Sequence, residues 1–479
     1  MVGITSYGAY IPWYRINRMT IYGSIGFVNQ ATIMPGEKAV GNYDEDSLSM
    51  AVNAGVDCLT GIDRSKLDGL YFATTTASYK ERLNAGIIAT ALDLIPEIRT
   101  ADFTDSVKAG TTALLAAGDT IKSGSAKSIL LCASDCRLGP AGSFQEEMYG
   151  DGAAALLLGD KKVIATLEGS HSISYDFMDH WRHEGERFNR IWEDRWVRDE
   201  GYSKFIPEAI SGLMNKYNIN PKDIAKVCYP CMYVRAHANI GKQLGFEPDQ
   251  LQEHMFTTVG LTGTANPLML LVAALEDAKP GDKIIVASYG NGSDTMLLEV
   301  TPEIKSIKGR KGVKNSLANK KDLPSYEKYV TFKQVLAIDI AGRGEEAVPS
   351  SSSVLWRDRK KALALVGSRC KRCGTPQLPP QHICVKPDCG AVDEMEEYRF
   401  SDKRGHIFTY TGDNLVYTPD PPELYGVIDF EGGGRAQFNL TDCDLDEVEV
   451  GMPIECTFRR KYYDRGVTGY TWKAVPARV

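Results

Sequence analysis

Two stretches of this chain share one grammar. ALLAAGDTIKSGSAKSILLCAS (113–134) and LVAALEDAKPGDKIIVAS (271–288) each run from an Ala/Leu-rich helix, through a Lys-x-Gly stop, into an apolar strand ending in Ala-Ser. Lysine near a helix end suits the dipole, and glycine suits the cap. Any helix–turn–strand unit has this form, yet its recurrence at corresponding points of two halves suggests an internal duplication. Further short apolar runs bounded by Gly, Asp or Ser, such as GLYFATT (69–75) and AALLLGD (154–160), suit buried strands of an α/β protein.

At 479 residues the chain is too long for one ordinary core, so two or three domains are expected. A net charge of −7 gives no overall attraction to nucleic acid or to an anionic membrane. No apolar run approaches the roughly 18–20 residues that span a bilayer. MVGITSYGAYIPWYR lacks the basic start and continuous apolar stretch of a signal peptide and reads as a first strand. A cytoplasmic protein is expected, and its 11 cysteines are then thiols or metal ligands rather than disulfides.

Beyond residue 300 the texture changes. SIKGRKGVKNSLANKKD (306–322) is basic and Gly/Asn-rich and reads as an exposed loop, SYEKYVTFKQVLAI as a helix, and GRGEEAVPSSSS (342–353) as a linker. Then RCKRCGTPQLPPQHICVKPDCG carries Cys370 and Cys373 as C-x2-C, and Cys384 and Cys389 as C-x4-C. Two thiolate pairs at this spacing form the ribbon pattern for a tetrahedral structural zinc, with no open position for catalysis. His382, between the pairs, reads as a surface residue. About five short strand-like runs follow, from HIFTYTG to GYTWKAV, as in a small barrel or sandwich. From 363 to 479 there are 14 Lys and Arg against 18 Asp and Glu, which argues against a surface that tracks phosphates.

Several stretches resemble the hydroxymethylglutaryl-CoA synthases of archaea and bacteria, within the thiolase superfamily. They are VGITSYGAYIPWYRI, KAGTTALLAAGDTIKSG, YGDGAAALLLGD, HWRHEGERF (180–188), IGKQLGF and KPGDKIIVASYGNGSD. Residues 356–479 resemble the zinc-ribbon plus OB-fold proteins that accompany such enzymes in acyl-CoA handling. The resemblance implies an α/β fold, the duplicated thiolase-like αβαβα fold, over 1–345. It implies a linker and short helix over 346–362, a zinc ribbon over 363–398 and an OB-fold β-barrel over 399–479. It also implies Zn2+ and a CoA thioester as ligands and a homodimer. A hetero-oligomer with a thiolase-family chain is open; nucleic acid and membrane are not expected as partners.

That family uses a Cys nucleophile, a Glu acid/base, a His and an Asn. Carried over one by one, the Cys position falls on Val107, the Glu on Thr75, the His on Pro230 and the Asn on Leu261. Ordinary hydroxymethylglutaryl-CoA synthesis is therefore not expected. Two readings stay open: carbon–carbon chemistry on a CoA thioester without an acyl-enzyme, or a non-catalytic scaffold that binds CoA beside an active thiolase. Candidate groups near the vacated positions are Ser106, Cys231, Tyr233, His237 and Asn291. Asp105, Cys228 and Tyr229 are their polar neighbours. Arg182, Arg187 and Arg190 are candidates for CoA phosphates or for structural ion pairs.

Overall fold

The computed structural model describes residues 1–29, 33–338 and 350–478. Nine strands form one mixed sheet: β1 (Gly3–Tyr10), β2 (Gly69–Ala73), β3 (Arg99–Phe103), β4 (Ser128–Asp135), β5 (Gly152–Gly159), β6 (Ala165–Ser174), β7 (Lys226–Cys228), β8 (Lys283–Ala287) and β9 (Gly292–Val300). Their order is β7-β8-β9-β6-β1-β5-β4-β2-β3. Outward from the antiparallel β1–β6 pair, each half repeats the same pattern. Two antiparallel pairings (β1–β5–β4; β6–β9–β8) are followed by a parallel one (β4–β2; β8–β7). This is the duplication the repeated grammar suggests, with β3 as an extra edge strand in the first half. Both Lys-x-Gly stops close their helices as expected, with Gly124 and Gly281 at φ +74 and +91.

Five α-helices set the layers: α1 (Ser47–Cys58), α2 (Ala109–Lys122), α3 (Ser203–Tyr217), α4 (Val234–Gln243) and α5 (Asn266–Asp277). The two repeat helices, α2 and α5, share one apolar cluster with strand residues from both halves of the sheet, including Ile129, Leu131, Ile284 and Val286. Helix α1 packs on the outer face of the first half, and α3 and α4 pack outside the second. The result is the αβαβα order, with Ala, Gly and Leu on the central helices because both of their sides are covered.

The segment 306–322 departs from the loop expected of it. It holds a helix, Gly312–Ala318, and a short strand, Lys321–Asp322, paired with Tyr14 and Arg15. Composition misleads here because the anchors lie elsewhere. Asp57 accepts from the Lys311 and Gly312 N–H groups, Glu276 accepts from Val313 and Lys314, and Val313 is buried. The helix expected in SYEKYVTFKQVLAI spans Tyr326–Phe332, with Ser325 as its cap. Most of the expected linker, with the boundary at 345, lies outside the described residues. Short helices at Ser352–Arg357 and Arg359–Leu363 follow it.

Three short strands, Val366–Cys370, Pro376–Gln377 and Met395–Arg399, make the ribbon. Five more, from Gly405 to Pro476, close into a barrel. The barrel is fused to the first domain rather than merely tethered. Phe458, Tyr470 and Trp472 belong to the same buried cluster as Leu48, Val52 and Leu92. Asn53 on α1 exchanges hydrogen bonds with the backbone of Phe458, donating to its carbonyl at 3.3 Å and accepting from its N–H at 3.0 Å. Beside this seam Arg459 is buried among acids. Its guanidinium lies 3.1 Å from Asp44, 2.8 Å from Glu45 and 2.5 Å from Asp442, and it also donates to the Tyr10 hydroxyl. Lys473 adds a second cation 3.0 Å from Asp44.

Candidate active site

The four positions carried over from the family lie on loops at the ends of strands and helices, where α/β folds place their chemistry. Three of them, Val107 just before α2, Pro230 just after β7 and Leu261, line a single small cavity of about 40 Å³. Thr75 does not line it. Asp135, at the end of β4, is fully buried and accepts from the Thr75 N–H at 2.6 Å and the Thr75 hydroxyl at 3.0 Å. Thr74, Thr76 and the Thr264 N–H complete five donors to this carboxylate. Thr264 belongs to the second half, so Asp135 clamps the halves together just behind the cavity.

Apolar side chains from Met148, Ile191, Val197 and Met232 make up much of the wall. The rest is polar: Arg137, Tyr149, Asp179, His180, Asn266 and Tyr289. His180 sits in a two-stranded ribbon, His180–Trp181 against Arg190–Ile191, that brings the loop after β6 over the cavity. Its Nδ1 lies 2.8 Å from Asp179 Oδ1, and its backbone N–H donates to the same oxygen at 2.7 Å. Arg137 stacks on the Tyr149 ring, 4.1 Å from its centroid, and donates to its hydroxyl at 3.2 Å.

Four polar atoms of these residues are buried and make no aligned hydrogen bond to the protein: Arg137 Nε, Asp179 Oδ2, Asn266 Oδ1 and the Tyr289 hydroxyl. Buried polar groups are normally satisfied; Asp179 and Tyr289 lie beside each other, and all four residues line the one cavity. Burial pushes the Tyr289 phenol up, and the Asp179 carboxylate beside it pushes further. Burial alone would raise Asp179 too. His180 and the nearby Tyr289 hydroxyl outweigh it and hold the carboxyl below its usual range. Tyr149 is raised by burial against the opposing pull of Arg137.

None of the candidates offered for the vacated positions lines the cavity. Cys231 is completely buried among Met34, Met148, Phe256 and Leu261, and burial pushes its thiol up to about 12. That environment protonates the sulfur and suits packing, not attack. His237 stacks on Tyr229 at 4.1 Å and is pushed down to about 4 by burial and by His254. Tyr233 donates to Asp194 at 2.7 Å, and Asn291 to the Phe177 carbonyl at 3.1 Å. Ser106 donates to the Gly290 carbonyl at 3.2 Å, and its Oγ accepts from the Lys108 N–H at 3.4 Å. The three arginines do not converge. Arg182 donates to the Thr75 carbonyl, Arg187 to the Lys333 carbonyl and Arg190 to Glu186.

The Asp179–His180 pair was missed by sequence reasoning. His180 opens HWRHEGERF, with Asp179 just before it; the segment supports the resemblance, and its arginines supply the site candidates. The Asp-His dipeptide was the available signal, but nothing in its spacing separates it from any loop histidine.

The four cysteines of the ribbon do converge. Cys370, Cys373, Cys384 and Cys389 place their sulfurs within 4.8 Å of one another, with Cys370–Cys389 at 3.7 Å and Cys373–Cys384 at 3.5 Å. A Zn–S bond of about 2.3 Å in a tetrahedron puts sulfurs roughly 3.8 Å apart, so the set fits zinc. Such an ion would tie the strands together, with every ligand supplied by the protein.

Residues 357–396 match the family described as ChsH2, rubredoxin-like zinc ribbon domain, and residues 398–459 the ChsH2, C-terminal OB-fold domain. Residues 214–298 match the 3-oxoacyl-[acyl-carrier-protein] synthase III C terminal. The hydroxymethylglutaryl-CoA synthase of Methanopyrus kandleri is 31% identical over 343 residues, covering 70% of this chain and 98% of its own. That of Pyrococcus furiosus is 31% identical over 341 residues, covering 70% and 93%. Among solved structures, an HMG-CoA synthase complexed with CoA superposes with a TM-score of 0.62 at 19% identity, over 73% of this chain and 95% of the other. MvaS in complex with 3-hydroxy-3-methylglutaryl coenzyme A gives 0.61 at 19%, over 73% and 94%, and at that identity the likeness speaks for the fold.

Proposed function

The chain belongs to the hydroxymethylglutaryl-CoA synthase family, and from that premise we propose that it makes or breaks a carbon–carbon bond, by aldol or Claisen-type chemistry, on a CoA thioester without a cysteine nucleophile. One observation carries this reading. Val107, Pro230 and Leu261, to which the resemblance carries the family's Cys, His and Asn positions, share one cavity, and no cysteine is among the described residues that line it. Aldol chemistry needs a proton acceptor and donors for an enolate oxygen, not a covalent thiol. The polar wall offers both kinds of group. The apolar remainder of the wall would exclude water from an enolate once it forms.

The full-length protein, alone and with any chain that co-purifies, is incubated with acetyl-CoA, acetoacetyl-CoA and 3-hydroxy-3-methylglutaryl-CoA. Products and intact mass are read from the same samples. Cleavage or condensation with no acyl adduct is the expected result. An acyl adduct on any cysteine, Cys231 included, would overturn it. Binding without turnover, with activity only alongside a cysteine-bearing thiolase-family chain, would make this chain the scaffold instead.

A further inference from the structure

The cavity wall carries a paired aspartate and histidine, Asp179 and His180. Among the lining residues only Asp179 and His180 can take a proton. Arg137 offers donors only, the two tyrosines are held protonated by burial, and Asn266 and the apolar side chains have no basic site. The two are coupled by the 2.8 Å contact between His180 Nδ1 and Asp179 Oδ1. A carboxylate 2.8 Å from Nδ1 favours the proton on that nitrogen, which leaves the lone pair on Nε2. The carboxylate is itself anchored, being buried and bonded to the His180 backbone N–H.

Resting on the function proposed above, we propose that His180 is the catalytic base of this cavity, with Asp179 as its positioning residue. His180 Nε2 takes the α-proton of a CoA thioester. The C–H electron pair becomes the enolate, with its charge on the thioester oxygen, where Arg137 and Asn266 supply donors. The α-carbon then attacks the carbonyl of an aldehyde or ketone. The carbon–carbon bond forms, and the proton on Nε2 passes to the new alkoxide. In the cleavage direction the same steps run backwards, and His180 takes the β-hydroxyl proton first. Neither direction needs an oxidant, a reductant or an acyl-enzyme.

The first half of this sequence can be read without knowing the electrophile. The full-length chain is incubated with acetyl-CoA and, separately, propionyl-CoA in D2O, and deuterium entering the α-carbon is followed by mass spectrometry. Wild type is expected to exchange. His180→Gln is expected to lose about 100-fold or more of the exchange rate and to regain part of it with added imidazole. Asp179→Asn is expected to lower the saturated rate while leaving KM little changed, and Asp179→Glu to recover part of it; a merely structural residue would not give that split. Unchanged hydrogen-exchange protection in the ribbon and β6 verifies the fold of each variant. Exchange in wild type that persists undiminished in His180→Gln would overturn the base assignment and leave the proposed function standing. No exchange in wild type with either thioester would overturn both.

Discussion

Arg459 is buried against three carboxylates at the seam between the first domain and the barrel. Arg459→Met keeps most of the side-chain length and removes the cation. Asp44, Glu45 and Asp442 then face one another, with Lys473 left in contact on the Asp44 side. All of these side chains are at most 7% exposed, so water cannot screen the three acids. Breaking a buried ion pair by deleting one partner costs about 3–5 kcal/mol. Because the cluster joins α1's N-terminal loop to the barrel, the cost falls on the seam. The assay is peptide-resolved hydrogen exchange on the full chain. Exchange in the strand Pro453–Asp464 and in α1 should accelerate by more than about 100-fold, the equivalent of roughly 3 kcal/mol. Glu45, already pushed up by burial and held back by Arg459, can relieve the variant by taking a proton. The deficit should therefore be larger at pH 8 than at pH 6. An acceleration below about fivefold, or a deficit that grows as the pH falls, would refute the reasoning.

Three further outcomes follow from the same geometry. Cys373→Ser should lower bound zinc from one per chain, read by elemental analysis, and should loosen exchange across 366–399 while leaving β1–β9 protected. Val107→Cys should put a thiol on the cavity wall that takes an acyl group from acetyl-CoA, read by peptide mapping; modification of Cys231 first would show the wall to be misplaced. His237 is held at about 4 against an ordinary value near 6.5. As the pH falls through that window the unfolded chain takes a proton that the folded chain refuses, so stability is lost with acid. His237→Phe keeps the stack on Tyr229 and removes the proton site, so its stability relative to wild type should rise between pH 7 and pH 5 in calorimetry.

The fold was legible where local grammar repeats. The two helix–stop–strand units locate α2, β4, α5 and β8, and the cysteine spacing locates the ribbon. Counting from the resemblance also brings Val107, Pro230 and Leu261 to one place, although they are far apart in sequence. Two kinds of feature were not legible. Residues 312–318 look like solvent-exposed loop because Asp57 and Glu276, which satisfy their backbone, lie 36 or more positions away. Asp179 and His180 are chemically suggestive only once a ribbon places them against a cavity, and a two-residue strand leaves no periodic trace. Of the candidates chosen instead, Ser106, Cys231, Tyr233 and His237 lie within seven residues of a vacated position in sequence, and Asn291 lies in the Gly-rich turn before β9. Cys231 follows Pro230 directly in the loop after β7, yet its side chain packs with Met34, Met148, Phe256 and Leu261 and does not line Pro230's cavity.

The shared packing of α1 with the barrel bears on how such a chain can be divided. A fragment ending near residue 338 would keep all nine strands of the main sheet yet bare the face on which Phe458, Tyr470 and Trp472 rest. A fragment beginning near 350 would carry those aromatics, and Arg459, into water without their counterparts. Both pieces would be prone to stick to themselves or to any apolar surface available. Losing the C-terminal module by a nonsense codon would thus leave the main sheet whole but its outer apolar face bare.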